Sequence, residues 1–186
     1  MNDIAWETDS VFVSAGPNHF KQWIISENPT KGMGLFLKTR LGNFGDNPKV
    51  HVGCVFNRGT CLTGSITGSL YLWQGTSISR AIKLHESPEP STIALIRGEF
   101  CVLEAICVTE SHIFTGGRDQ RINVLNALTY KFLFRIDCKS FPDSIRPRIR
   151  AITVNAANDT LIVGTFGHEI YEVPVNITKE TSGDAI

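Results

Sequence analysis

Between Val50 and Leu84 apolar and polar side chains alternate with a period of two, and β-branched and aromatic residues dominate. Val50 to Phe56 reads as a strand, Asn57 to Thr60 as a turn and Cys61 to Ser65 as a second strand. Ile66-Thr67-Gly68 is a tight turn, Ser69 to Trp73 a third strand, Gly75 to Ser79 a turn and Ala81 to Leu84 a fourth strand. The same pattern predicts strands near Val102–Val108, Ile113–Gly116, Arg121–Leu125 and Lys131–Ile136. Further strands are predicted at Ile149–Val154, Thr160–Thr165 and Glu169–Val173, and the first copy runs from Asp3–Trp6 to Leu35–Lys38. No segment carries an amphipathic helical stripe.

These strands echo one another at intervals of roughly fifty residues. The frame Thr63 to Trp73 (TGSITGSLYLW) returns as Thr115 to Leu125, as Val163 to Val173 and as Val13 to Trp23. Each copy places a bulky apolar residue at one position, namely Phe20, Leu70, Ile122 or Ile170. A unit of four short antiparallel strands cannot bury its own faces; stacked neighbours must do it. The expected fold is therefore all-β, a β-propeller segment of about four four-stranded blades. Closure commonly takes about four to eight blades, so the segment is expected to belong to a larger propeller. The expected divisions are 1–48 for the first blade and its connector and 49–86 for the second blade. They continue with 87–138 for a loop insert and the third blade, 139–174 for the fourth and 175–186 for a tail, all in one domain. Open faces on the outermost blades are expected to pair, or to exchange strands, between copies.

Three stretches interrupt the period: Ser26–Met33, the proline-bearing Glu86–Gly98, and the tail after Val173. Composition then narrows the partners. Lys plus Arg equals Asp plus Glu, 18 each, which speaks against nucleic acid or an anionic membrane as main partner. The five cysteines (54, 61, 101, 107, 138) form no close pair and read as buried reduced thiols of a cytoplasmic protein. No phosphate-binding loop or nucleophile elbow occurs, and the five histidines never pair at metal-ligand spacing. His51 with Cys54 is an isolated coincidence. Neither enzymatic activity nor a cofactor or metal is expected.

Two groups of residues stand out. Arg146, Arg148 and Arg150 alternate in SIRPRIRAI, so an extended chain points them to one side, towards acidic groups of a partner. The alternative is a charged strand edge that discourages aggregation. The second group lies in the turn frame. Thr115-Gly116-Gly117-Arg118-Asp119-Gln120-Arg121-Ile122 resembles the WD-repeat pattern, as does Thr63 to Trp73. The resemblance implies a buried hydrogen-bonded cluster of His85, Thr115 and Asp119, structural in role. Thr67, Pro17 and Gly167 stand at the Asp position in the other copies, and Leu125 and Val173 replace the aromatic residue.

Four segments in order are similar to the first propeller of the echinoderm microtubule-associated protein-like family. They are Gly34–Lys38, Val50–Trp73, Ile113–Leu125 and Ile149–Thr165. His85-Glu86 looks like that family's His-Glu-Gly step, with Ser87 in place of the glycine. The resemblance implies a tandem atypical propeller that binds tubulin or microtubules, in the cytoplasm and cytoskeleton. It implies a non-catalytic protein-interaction scaffold. Other readings are a WD-type assembly scaffold for ciliary or trafficking complexes without tubulin contact, and an enzyme using a propeller channel.

Overall fold

The computed structural model describes residues 3–27, 35–47, 50–86, 102–138 and 148–175. They form four antiparallel sheets and, among the described residues, no helix. The first sheet is β1 (Asp3–Thr8), β2 (Val11–Gly16), β3 (His19–Glu27) and β4 (Leu35–Leu41), hydrogen-bonded in chain order. The second is β5 (Val50–Asn57), β6 (Thr60–Ser65), β7 (Ser69–Gln74) and β8 (Ser77–Lys83). The third is β9 (Leu103–Val108), β10 (His112–Gly117), β11 (Arg121–Asn126) and β12 (Phe132–Asp137). The fourth has three described strands, β13 (Ile149–Val154), β14 (Thr160–Thr165) and β15 (Ile170–Pro174). These meanders are propeller-type blades, and the chain is an all-β propeller segment of four of them.

Two compact units divide the chain, Met1–Leu103 and Glu104–Ile186. In the first unit, β5 lies against β1 and β2, so the second sheet covers one side of the first. Val13, Ala15 and Phe20 from one sheet and Cys54, Cys61, Tyr71 and Trp73 from the other form the core between them. The Phe20 and Trp73 rings are stacked with centroids 3.8 Å apart, and Phe44 meets Trp73 edge-on at 5.3 Å. In the second unit, β13 packs on β10. There the core is mainly aliphatic: Phe114, Ile122 and Val124 cluster with Ile149, Ile152, Leu161 and Val163.

Gly116 explains how close the third and fourth sheets approach. A Cβ placed there would stand 2.8 Å from Ile149 Cβ and from Ile152 Cδ1. Backbone, not side chain, is what this spot can hold.

The hairpin turns show where the repeat slips. The β6–β7, β10–β11 and β14–β15 hairpins close through loops 66–68, 118–120 and 166–168. The third loop residue donates to the carbonyl three positions back: Gly68 to Ser65, Gln120 to Gly117, His168 to Thr165. These three residues have φ of 78°, 65° and 70°. The β2–β3 hairpin has only Pro17 and Asn18 between the paired Gly16 and His19, with φ 53° at Asn18. The first copy is thus one residue short. Its β2 shifts against the sequence frame, so Ser14, not Val13, stands where Thr63 stands, and Pro17 has no counterpart to Asp119.

The outer strand of the second sheet also begins earlier than the turn signals imply, at Ser77 rather than Ala81. Gly75, at φ 57°, lets the chain reverse within two residues, which leaves Ser77–Ser79 free to pair.

Candidate functional site

The indole of Trp73 donates to Thr63 Oγ1 at 2.8 Å, and that of Trp23 donates to Ser14 Oγ at 2.8 Å. Both hydroxyls are fully buried. In both blades the bond ties the second strand to the third, and for Trp73 it satisfies a polar tip that the apolar core would otherwise strand. Ser14 also bonds His19 Nε2 at 2.8 Å. Sequence reasoning missed Ser14 because the frame placed Val13 there; the signal was the spacing of a hydroxyl ahead of the repeated tryptophan.

Of the expected cluster, His85 is buried in the first unit, and Thr115 and Asp119 are buried in the second. Thr115 lies on β10 and Asp119 in the β10–β11 turn, the places the WD-like frame assigns them.

Arg146 lies outside the described residues. Arg148 precedes β13 and Arg150 lies within it. Arg150 is engaged inside its own unit: Nη1 is 3.4 Å from Glu104 Oε2, and its guanidinium lies over the Phe166 ring at 5.9 Å. Arg118 Nε bonds the other oxygen of the same carboxylate, Glu104 Oε1, at 2.5 Å. The Glu104 side chain is only 5% exposed, so two guanidinium groups answer one buried charge. Arg150 joins β13 to β9 through this carboxylate, a bracing role that alternation in sequence does not reveal.

Basic surface is instead concentrated on the outer strands of the first unit. β4 (LFLKTRL) and β8 (SISRAIK) carry Lys38, Arg40, Arg80 and Lys83 and no acidic residue. All four side chains are exposed. Lys83 Nζ also donates to the Thr67 carbonyl. The outer strand of the third sheet (FLFRID) differs, with Arg135 offset by Asp137 and bonded to Asn123 Oδ1 at 2.7 Å. A chain of zero formal net charge thus holds two outer strands whose charges are all positive. The net charge hid this; the absence of acids from those two strands was legible.

The thiols are chemically quiet. Burial, with the nearby Asp3 carboxylate adding to it, pushes the Cys54 thiol up to about 12. Burial also raises Cys61 and Cys107, and takes Cys138 up to about 12. Such groups hold their protons at neutral pH and are poor nucleophiles or metal ligands. Among the described residues no three His, Cys, Asp or Glu converge to hold a metal ion. The His51 side chain and Cys101 lie outside the described residues.

No family profile matches the chain. Among solved structures it is similar to the crystal structure of the computationally designed Ika4 protein, with a TM-score of 0.58 at 14% identity. The match covers 92% of this chain and 89% of that one. At that identity the likeness concerns the fold alone.

Proposed function

We propose that the chain is a non-catalytic protein-interaction scaffold of a microtubule-associated protein, with tubulin or microtubules as its acidic partner. The observation that carries this reading is the set of exposed basic residues on β4 and β8, Lys38, Arg40, Arg80 and Lys83, on strands that hold no acid. Rigid sheets hold these side chains in fixed positions, which suits recognition of an acidic surface. The ordered segments similar to the echinoderm microtubule-associated protein-like family name the partner class. Arg148, in the second unit, is a further candidate, whereas Arg150 braces its own unit. A WD-type assembly scaffold without tubulin contact is the second reading, favoured by the Trp–hydroxyl bonds that stiffen the first two blades without addressing any ligand.

Co-sedimentation with microtubules and capture of soluble tubulin, each at low and raised salt, test the proposal. Binding that weakens with salt and falls about tenfold or more in a Lys38→Glu/Arg40→Glu/Arg80→Glu variant is expected. Absence of binding at low salt, or binding indifferent to the three substitutions, overturns it.

A further inference from the structure

Each interface inside a unit uses one repeated fit. The preceding sheet offers a small residue on its second strand opposite a bulky one on its third: Ala15 opposite Phe20, Gly116 opposite Ile122. The following sheet answers with its third-strand position, Trp73 or Val173, and a first-strand residue, Cys54 or Ile152. Trp73 stacks on Phe20. Ile152, with Ile149, fills the space over Gly116.

Two halves of this fit stand open. The fourth sheet repeats the offering side in Gly164 opposite Ile170, turned away from the core that Val163 and Leu161 enter. Ile170 is 76% exposed, and a Cβ at Gly164 would meet only Ala151 Cβ, at 3.6 Å. The first sheet repeats the answering side. Trp23 corresponds to Trp73. Ile4 pairs with Ser14 as Ile152 pairs with Val163, so Ile4 is the counterpart of Ile152. Ile4 is 46% and Trp6 57% exposed. Trp6, Phe12 and Trp23 form an aromatic ladder across this face, with centroids 4.8 and 5.7 Å apart and Lys21 over Trp23 at 4.7 Å.

We propose that the open face of the first sheet in one copy seats on the open face of the fourth sheet in a second copy, head to tail. Trp23 then covers Ile170, and Ile4 enters the space over Gly164. Lys21 on one face and Glu172 beside Ile170 on the other are complementary in charge. The occupant is a second copy because this chain carries both halves of a fit it already uses twice. Such a contact is heterologous, so it adds copies in sequence, as a ring where the rotation closes and as an open filament where it does not.

Solution mass of the intact chain, by sedimentation from micromolar to near-millimolar concentration, tests this. The expected result is a mass that rises with concentration past two chains. Trp6→Glu and Ile170→Glu, both at exposed positions and checked for native circular dichroism, should each remain single chains. Their mixture should form pairs and nothing larger, since each retains the half that the other has lost. A wild-type chain that stays monomeric throughout overturns the proposal, as does either variant pairing with itself or a mixture that fails to pair.

Discussion

The two units solve one packing problem with different materials. In the first unit the sheets meet through large rings, with Phe20 stacked on Trp73 and Phe44 at its edge. In the second they meet through branched aliphatic side chains lying almost on bare backbone at Gly116. An aromatic interface concentrates its burial in few residues; an aliphatic one spreads it and relies on close approach. Their polar bracing differs likewise. Indole–hydroxyl bonds tie strands within each sheet of the first unit, whereas Glu104 joins β9 to β13 in the second through Arg150.

The largest break should come from the concentrated interface. Trp73→Ala removes a fully buried ring and leaves Thr63 Oγ1 without its donor, and is expected to cost about 3–5 kcal/mol in denaturant unfolding. Val173→Ala, at the same repeat position in the second unit, is expected to cost roughly 1–2 kcal/mol, because Val173 is only partly buried. Equal losses would mean that the two interfaces do not differ as described.

Close approach gives the next contrast. Gly116→Ala forces Ile149 and Ile152 aside and is expected to destabilise by about 1–3 kcal/mol. Gly164→Ala, at the same repeat position on an open face, should change the single chain's stability by less than about 0.5 kcal/mol. Thermal melts of the pair at low concentration measure the difference. A harmless Gly116→Ala would show that the sheets stand further apart.

A smaller effect is pH dependence. Burial lowers the His112 imidazole below its usual 6.5, and burial with nearby positive charge, Lys21 included, lowers His19. Both therefore bind fewer protons folded than unfolded. Their contribution is fully present above about pH 6.5 and is lost as pH falls below it. His112→Gln and His19→Gln should each flatten the stability curve on the acid side of pH 6.5, with no change above it. A variant that steepens that limb contradicts the assignment.

Much of the fold was legible because its signals are local. Period-two alternation placed the strands within a few residues, and Ile149–Val154 and Thr160–Thr165 coincide with the observed β13 and β14. What stayed hidden depends on partners distant in sequence or on single-residue spacing. The missing residue of the Pro17–Asn18 turn shifted the whole of β2 against its frame and concealed Ser14. Arg150 looked like a partner-binding side chain because nothing in SIRPRIRAI announces Glu104, forty-six residues earlier. The basic character of β4 and β8 escaped notice for another reason: the two strands lie far apart in sequence and are the outer strands of different sheets.

The central claim is that, within each unit, echoes roughly fifty residues apart are neighbouring sheets in contact. A double-mutant cycle between Phe20 and Trp73, using Phe20→Leu and Trp73→Leu in equilibrium unfolding, tests it most directly. Stacked rings 3.8 Å apart predict a coupling of about 0.5–1.5 kcal/mol. Additive effects, with coupling indistinguishable from zero, would contradict the account.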